Sequence, residues 1–388
     1  MSYLHRCIAA ATGFCLVSCL FGCSKGTANS GPAAPPPSLT TSPSAPVTVK
    51  AKFAYTGNQG GSLSGYAVNP SSGVLTPLSG FPLVLGGNPN AITHDPQNRF
   101  LIVADVATSQ LHVLAIDSTT GALAEVSPSP YVTIKEPVSV ITDPSGTHVY
   151  VVGQGDHNIG AYNLSPAGVL TSIAGAPFST GSTSTGTFTV GSSGIVTDAA
   201  GKFLYVQDLA NLYVFRFDST SGAIAPLQTV PSSYGGGIAL DPAGKYLYAA
   251  GSNLILSYGI DSVSGLLTLV KSSPTLKQNG AYTISVSSNG QFAYMIENNN
   301  DLVSYTISNG GFTPVGNTYS GVYGDQIAID PSDNFVYVPQ ACTTCTSGAY
   351  NVVNEFSIGN TGALTPLSGS PVTSGVTPWG ITLTTQQN

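Results

Sequence analysis

The chain has 388 residues, of which only 7% are charged, and its formal net charge is −7. Nucleic-acid binding requires clustered Lys and Arg, and the 11 Lys and Arg residues form no cluster, so we expect no nucleic-acid partner. A hydrophobic content of 42% excludes a disordered chain, and 45 Gly and 27 Pro favour an all-β protein dense in turns.

Residues 1–23 have the pattern of a signal peptide. His5 and Arg6 precede an apolar run from Cys7 to Phe21, which is shorter than the ~20 residues of a membrane-spanning helix. Leu20–Cys23 resembles a bacterial lipobox, in which the Cys is lipidated. Cys19 fits the same pattern, but polar residues follow Cys23, so we favour Cys23 as the lipidated residue. A plain secretory signal is the alternative.

Residues 24–50 are rich in Pro, Ser, Thr and Ala. Such a segment cannot bury apolar surface and behaves as an extended tether. We therefore expect residues 51–388 to form a globular domain of an exported lipoprotein at the cell envelope or cell surface, with the lipid as its only membrane contact.

The clearest copy of a repeated unit runs from Gly237 to Leu269. It contains four apolar runs that are too short for helices, separated by turn sequences such as Asp241–Gly244 and Asp261–Gly265. This pattern predicts a four-stranded antiparallel meander. One such sheet cannot bury both of its faces alone, so copies must pack against one another.

The unit occurs seven times. Its second strand closes on an aromatic or apolar residue that recurs every 43 to 55 residues, at Tyr55, Ile102, Tyr150, Tyr205, Tyr248, Tyr294 and Tyr337. A period in this range with four strands per unit predicts an all-β fold, a seven-bladed β-propeller of four-stranded antiparallel blades.

The two ends of the domain complement each other. The first unit opens directly on its second strand at Lys52–Tyr55, and the last segment, Pro378–Leu383, is a first strand with nothing after it. We therefore predict that the C-terminal strand pairs beside Phe53–Thr56 in the first blade and closes the ring, which removes an open sheet edge.

These motifs resemble the lactonase family of seven-bladed β-propellers, of the six-phosphogluconolactonase and muconate-cycloisomerase type. The resemblance is carried by the Asp-Pro-Ala-Gly-Lys turn, the Leu-Tyr strand, the Thr-Gly hairpin and Leu-Thr-Pro-Leu, and it spans Lys52 to Leu383. It implies hydrolysis of a lactone ring, with a small lactone as substrate.

A ligand is expected on the face formed by the blade entries and by the loops after each second strand, at the mouth of the central channel. Opening a lactone requires a base and donors for the developing oxyanion. The candidate catalytic residues are Asp105, Glu136, His157, Asp208 and Glu297. The candidate ligand-binding residues are Asn90, Lys135, Lys277, Tyr282, Asp325, Gln326 and Trp379.

Alternatives remain for both function and residue roles. The carboxylates can equally cap their own loops, and the propeller can be a non-catalytic module that binds carbohydrate or protein. Blade entries such as Gly87–Asn90 and Glu136–Ser139 contain neither Arg nor His, which argues against a phosphorylated substrate. We expect a monomer without cofactor or metal.

Two cysteines follow the signal region, Cys342 and Cys345. In an exported protein, thiols this close favour a disulfide that fixes a long loop. A four-ligand zinc site is disfavoured, because no second Cys pair or His lies nearby in sequence.

Overall fold

The computed structural model describes residues 49–181, 194–232, 236–275, 280–297, 299–322, 324, 326–341 and 351–386. These residues form seven antiparallel sheets, which confirms the predicted seven-bladed propeller. The signal peptide with Cys23 and nearly all of the tether lie outside the described residues, as do Lys277, Asp325, Cys342 and Cys345. Within the described part of the chain, no helix is long and apolar enough to span a membrane.

Each blade is a meander in which the first strand lies innermost. Blade 1 contains β1 (Ala51–Asn58), β2 (Ser62–Val68), β3 (Leu75–Pro77), β4 (Leu83–Val84) and the C-terminal β32 (Pro378–Thr385). Blade 2 contains β5 (Pro89–His94), β6 (Phe100–Asp105), β7 (Gln110–Ile116), β8 (Leu123–Glu125) and β9 (Tyr131–Val132). Blade 3 contains β10 (Pro137–Thr142), β11 (His148–Gly153), β12 (Asn158–Leu164), β13 (Leu170–Ser172) and β14 (Phe178–Ser179).

The other four blades follow the same order. Blade 4 contains β15 (Ile195–Thr197), β16 (Phe203–Gln207), β17 (Asn211–Phe217) and β18 (Ile224–Pro231). Blade 5 contains β19 (Ile238–Leu240), β20 (Tyr246–Ala250), β21 (Leu254–Ile260) and β22 (Leu267–Pro274). Blade 6 contains β23 (Ala281–Val286), β24 (Phe292–Glu297), β25 (Asp301–Ser308) and β26 (Gly311–Ser320). Blade 7 contains β27 (Ala328–Ile329), β28 (Phe335–Gln340), β29 (Val352–Ile358), β30 (Leu364–Pro366) and β31 (Val372–Thr373).

The innermost strands close a ring. Strand β5 contacts β10, and the contacts continue through β15, β19, β23 and β27 to β32, which returns to β5. Strand β32 pairs antiparallel with β1, with Tyr55 opposite Thr382 and Thr56 opposite Ile381. The prediction that the C-terminal strand completes the first blade is therefore confirmed.

The outer strand differs between the two sides of the ring. In blades 1, 2, 3 and 7 it is divided into two short pieces, separated by proline-containing segments. In blades 4, 5 and 6 it is one continuous strand, β18, β22 or β26. The blades are thus four-stranded as predicted, with a divided fourth strand in four of them.

The Asp of each Asp-Pro turn organises the connection between the first and second strands. Asp95 Oδ1 accepts hydrogen bonds from the backbone N–H groups of Arg99 and Phe100, at 2.6 and 2.7 Å. Asp143 bonds Thr147 and His148 in the same way. An Asp side chain can replace backbone acceptors in a turn, which explains why the sequence unit places Asp there.

Neighbouring blades are linked by the tyrosine of the second strand. Its buried hydroxyl donates to the carbonyl oxygen of the hairpin glycine in the next blade. The pairs are Tyr55 with Gly121, Tyr150 with Gly222, Tyr205 with Gly265, Tyr294 with Gly362 and Tyr337 with Gly73, at 2.6 to 3.3 Å. Burial raises the pKa of these tyrosines. The apolar core correspondingly lies between successive blades.

In all seven blades, the hairpin glycine also packs against an aromatic ring of the preceding blade. That ring lies two residues before the tyrosine position of the second strand. The pairs are Gly73–Phe335, Gly121–Phe53, Gly168–Phe100, Gly222–His148, Gly265–Phe203, Gly310–Tyr246 and Gly362–Phe292. A Cβ on any of them would approach that ring to 3.3 Å or less, and all seven glycines have positive φ. The Thr-Gly and Ser-Gly hairpins of the sequence are therefore blade-to-blade contacts as well as turns.

Candidate functional site

Three of the predicted catalytic carboxylates occupy one equivalent position, three residues after the tyrosine position of the second strand. Asp105, Asp208 and Glu297 belong to blades 2, 4 and 6 and are at most 1% exposed. They follow the second strand of the blade and not the innermost one, so they lie behind the strands that line the channel. The structure does not bring them together.

Each of these carboxylates is bonded within its own blade. Asp105 Oδ1 accepts the N–H groups of Asn88, Ala107 and Thr108, at 2.9 to 3.0 Å. Such Asx-type bonds hold the loop that follows β6 and join it to the blade entry. A carboxylate in this setting stabilises its loop.

Asp208 and Glu297 each bind a tyrosine hydroxyl. Asp208 Oδ2 accepts Tyr213 Oη at 2.8 Å, while its Oδ1 accepts two backbone N–H groups of its loop. Glu297 Oε1 accepts Tyr305 Oη at 2.5 Å. These contacts correspond to the loop-capping alternative for the buried carboxylates.

The remaining two catalytic candidates, Glu136 and His157, belong to two chain segments that are hydrogen-bonded to each other at the entry of blade 3. The backbone N–H groups of Gln154 and Gly155 donate to the carbonyl oxygens of Glu136 and Lys135, at 3.0 and 3.3 Å. The two chain segments approach closely because Gly155 lacks a side chain, and a Cβ there would lie 2.7 Å from Lys135 Cγ. We call Lys135, Glu136, Asp156 and His157 the blade-3 entry cluster.

The charges of this cluster are exposed enough to meet a ligand. Lys135 Nζ lies 3.7 Å from Glu136 Oε1, and the two side chains are 66% and 40% exposed. Asp156 Oδ2 accepts the backbone N–H of Lys135 at 3.4 Å. Asp156 is a member that the sequence did not single out, although it precedes His157 directly.

The backbone of Glu136 is left-handed, with φ of 52°, and His157 has φ of 53°. Thr377, at the equivalent place in the entry of blade 1, has φ of 54°, and its carbonyl oxygen accepts the N–H of Gln59 in the same way. The left-handed turn is therefore a property of the blade-entry backbone, and in blade 3 that backbone carries a carboxylate.

A cavity of about 380 Å³ adjoins the cluster, between blades 2 and 3. Lys135 and Asp156 line it together with Ile134, Tyr162 and Pro177. The Tyr162 hydroxyl and Thr133 Oγ1 are 2.7 Å apart. The cavity combines apolar walls, an aromatic ring and a few polar groups, which is the usual composition of a small-molecule site.

Three predicted ligand-binding residues share another equivalent position. In the inner strands β5, β23 and β32 a β-bulge leaves Asn90, Tyr282 and Trp379 without a partner in the strand register. Bulges redirect side chains and are frequent near binding sites. Tyr282 is 46% exposed, whereas Asn90 Oδ1 and Trp379 Nε1 are buried without a hydrogen-bond partner among the described residues.

Gln326, the other predicted ligand-binding residue within the described chain, has a structural contact. Its Oε1 accepts the backbone N–H of Ile381, which joins blade 7 to the C-terminal strand. Gly380 permits this approach, since a Cβ there would lie 3.1 Å from Gln326 Oε1.

The described channel wall combines aliphatic side chains with uncharged polar ones. A cavity of about 370 Å³ is lined by the inner strands of five blades, with Ile141, Val196, Ala239, Ile284 and Ile329 among its residues, and none of its lining side chains is ionisable. Acid–base chemistry therefore belongs to the blade entries and not to this part of the channel.

The family model for the lactonase seven-bladed β-propeller matches residues 29–142 and 140–282, which is more than half of the chain. The chain belongs to the lactonase family. A search of curated proteins finds no match.

Solved structures share the fold at low identity. A provisionally named 6-phosphogluconolactonase from Bacteroides uniformis is 18% identical, with a TM-score of 0.72 over 87% of this chain and 100% of that chain. A similarly named protein from Bacteroides fragilis is 17% identical, with a TM-score of 0.72 over 90% and 100%. The periplasmic gluconolactonase of Pseudomonas aeruginosa is 18% identical, with a TM-score of 0.67 over 86% and 99%.

Proposed function

We propose that this lactonase-family propeller hydrolyses the ring of a neutral sugar lactone at the blade-3 entry cluster. The observation that carries the proposal is the environment of Glu136. Asp105, Asp208 and Glu297 are buried and bonded within their own blades, whereas the Glu136 side chain is 40% exposed beside Lys135, which lines a cavity. Family membership and a solved neighbour that is a gluconolactonase support the reaction class.

The chemistry assigns one role each to Glu136 and Lys135. Glu136 takes a proton from a water molecule, whose oxygen forms a bond to the lactone carbonyl carbon. The Lys135 ammonium stabilises the negative charge that develops on the carbonyl oxygen. When the bond to the ring oxygen breaks, the proton passes from Glu136 to that oxygen, and the product is a hydroxy acid.

A neutral lactone is favoured because positive charge is scarce at this site. Lys135 is the cation of the blade-3 entry cluster, and its ammonium already faces Glu136. A phosphate group is usually held by Arg, which binds it in a bidentate manner, and neither blade entry described above contains Arg. We therefore expect D-glucono-1,5-lactone to be a better substrate than its 6-phosphate.

The test is lactone hydrolysis by the purified mature protein, followed as acid release at constant pH. We expect turnover above the spontaneous rate for D-glucono-1,5-lactone, with a smaller kcat/KM for the 6-phosphorylated compound. Absence of turnover across neutral, phosphorylated and aromatic lactones would overturn the proposal.

A second candidate function is carbohydrate binding without catalysis. Within the described part of the chain, Asn90 Oδ1 and Trp379 Nε1 are buried without hydrogen-bond partners, at equivalent positions of blades 2 and 1. Buried polar groups normally have a partner, and sugar hydroxyls can supply both a donor and an acceptor. Saturable binding of a sugar in calorimetry, lost in Trp379→Ala, together with no hydrolysis of any lactone would favour this function.

We also propose that the propeller, as a monomer, is exported and anchored through lipid on Cys23. The lipobox-like Leu20–Cys23 and the tether after it support this location. Mass spectrometry of the mature protein should show a diacylglycerol adduct that disappears in Cys23→Ala and persists in Cys19→Ala. Loss only in Cys19→Ala would move the anchor to Cys19.

A further inference from the structure

A second hollow lies on the opposite face, among the Asp-Pro turns. It has a volume of about 540 Å³ and is lined by residues of blades 1 and 2, with Pro166 of blade 3 at its border. Lys52 and Arg99 line it, and so do the rings of Phe53 and Phe100. This face is remote from the blade-3 entry cluster, because successive loops of an antiparallel meander alternate between the two faces.

Both cations are positioned by protein contacts and keep donors for a ligand. Lys52 Nζ donates to the carbonyl oxygen of Ser118 and lies 5.4 Å from the centre of the Phe53 ring. Arg99 Nε donates to Asp95 Oδ2 at 2.7 Å, and its Nη2 donates to Gln97 Oε1 and to the carbonyl oxygen of Gly146, both at 3.3 Å. One contact uses one of the three Lys donors, and the Arg Nη1 hydrogens have no acceptor among the described residues.

The neighbouring carboxylates are engaged elsewhere. Asp95 has a fully buried side chain, and its two oxygens accept from Arg99 and from the turn backbone. Asp117 is exposed, and hydrogen bonds from Thr120 and Thr119, with a smaller contribution from Lys52, lower its pKa. Neither carboxylate lines the hollow, so its lining contains two cations and no anion.

The hollow between blades 4 and 5 occupies the equivalent place on the turn face and allows a direct comparison. It is about 270 Å³ and contains Lys202 at the position of Lys52, with Phe203 at the position of Phe53. Lys202 is its only lining cation, and Asp198 lines the hollow as well. The architecture of the turn face alone therefore gives a smaller, balanced hollow. The hollow between blades 1 and 2 differs from it in its larger volume, its Arg and its second cation.

We propose that the hollow between blades 1 and 2 binds a small aromatic or apolar carboxylate. Arg99 and Lys52 bind the carboxylate oxygens by charge-assisted hydrogen bonds, and the apolar part packs on Phe53 and Ile116. The site also lies at the ring closure, where Asn98 Nδ2 donates to Thr385 Oγ1 at 2.9 Å and Asn98 Oδ1 accepts the N–H of Thr385 at 3.1 Å. A ligand that contacts both blades stabilises the closed ring.

The test titrates benzoate into the mature protein by calorimetry and by thermal unfolding. We expect saturable binding and a rise in the melting temperature with benzoate concentration. Lys52→Gln should weaken binding about tenfold or more, since it removes one charge-assisted hydrogen bond. Lys202→Gln, the matched control on the same face, should leave it unchanged.

Three results would overturn the proposal: no saturable benzoate binding, an equal loss in Lys202→Gln, or binding of benzylamine as tight as that of benzoate. Arg99→Lys serves as a second variant that retains the charge but loses bidentate geometry, and we expect it to weaken benzoate binding as well. Hydrolysis of lactones is not part of the readout, so this proposal stands or fails independently of the proposed reaction.

Discussion

Replacing Gly265 by Ala tests the contact that links successive blades. Gly265 has φ of 75°, and a Cβ there would lie 2.3 Å from Phe203 Cδ1 of the preceding blade. The optimal separation of non-bonded carbon atoms is ~3.5–4.0 Å, so the Phe203 ring or the hairpin must move. A left-handed Ala costs about 1–2 kcal/mol, and overpacking of a buried contact adds about 1–3 kcal/mol.

Gly244→Ala is the matched control. Gly244 has φ of 69°, but no atom lies within 4 Å of the position of its Cβ. It should therefore show the conformational cost alone, about 1–2 kcal/mol, whereas Gly265→Ala should cost about 2–5 kcal/mol. Urea unfolding followed by circular dichroism measures both as shifts of the midpoint.

Phe203→Leu provides an independent check on the same contact. If the ring is the obstacle, Gly265→Ala should cost less in the Phe203→Leu background than in the natural protein, which gives a coupling free energy between the two sites. Equal destabilisation by Gly244→Ala and Gly265→Ala, or no coupling to Phe203, would refute the reasoning.

Three further predictions concern contacts within and between the blades of the propeller. Tyr294→Phe leaves the carbonyl oxygen of Gly362 without its buried donor, and should lower the free energy of unfolding by about 1–3 kcal/mol in urea titrations. Burial lowers the pKa of His94 from 6.5 to about 4, so the unfolded state gains a proton first as the pH falls. The contribution of neutral His94 to the free energy of unfolding is complete above pH 6.5 and is lost, by at most ~3 kcal/mol, as the pH falls towards 4. His94→Gln should flatten the dependence of the free energy of unfolding on pH between these two values. Deletion of residues 378–388 removes the strand that pairs with β1, and should abolish the cooperative unfolding transition.

The sequence was sufficient for the fold because its period and its turn residues depend on local physics. Asp and Gly at the spacing of Asp241 and Gly244 favour a turn in every repeat. The strand that contains Tyr248 is apolar because both of its faces are buried. The first repeat lacks a first strand before Lys52, and a strand is left over at Pro378. The two ends of the domain therefore had to pair where the ring closes. Each of these inferences needs only residues that are close in sequence or at the two ends of the domain.

The site was harder to predict because its carboxylates differ only in their surroundings. Asp105, Asp208 and Glu136 all occur on loops of the same face, and composition cannot show which carboxylate is bonded inside its own loop. One signal was available: Asp105 precedes small and polar residues that suit an Asx turn, and Thr108 donates to it in the structure. The cavity beside Lys135 depends on Tyr162, which lies in a different strand of the blade and has no motif to mark it.

Contacts between neighbouring blades could not be predicted from the sequence either. The role of Gly265 as the partner of Phe203 requires two blades placed side by side, although each residue belongs to a recognisable motif. The hollow at Lys52 and Arg99 likewise joins the start of blade 1 to the turn of blade 2. Arg99 belongs to the turn of its own repeat, but its proximity to Lys52 in a shared hollow could not be inferred from one repeat.

The most direct measurement for the proposed reaction is the kcat of natural protein, Glu136→Gln and Asp208→Asn on D-glucono-1,5-lactone, with the melting temperature of each. Glu136→Gln should keep the melting temperature and lose about 10²–10⁴-fold in kcat, as expected for removal of a general base. Asp208→Asn should lower the melting temperature, because it weakens bonds to the loop and to Tyr213, and keep kcat. Full kcat in Glu136→Gln, or a loss of kcat in folded Asp208→Asn, would contradict the assignment of the site.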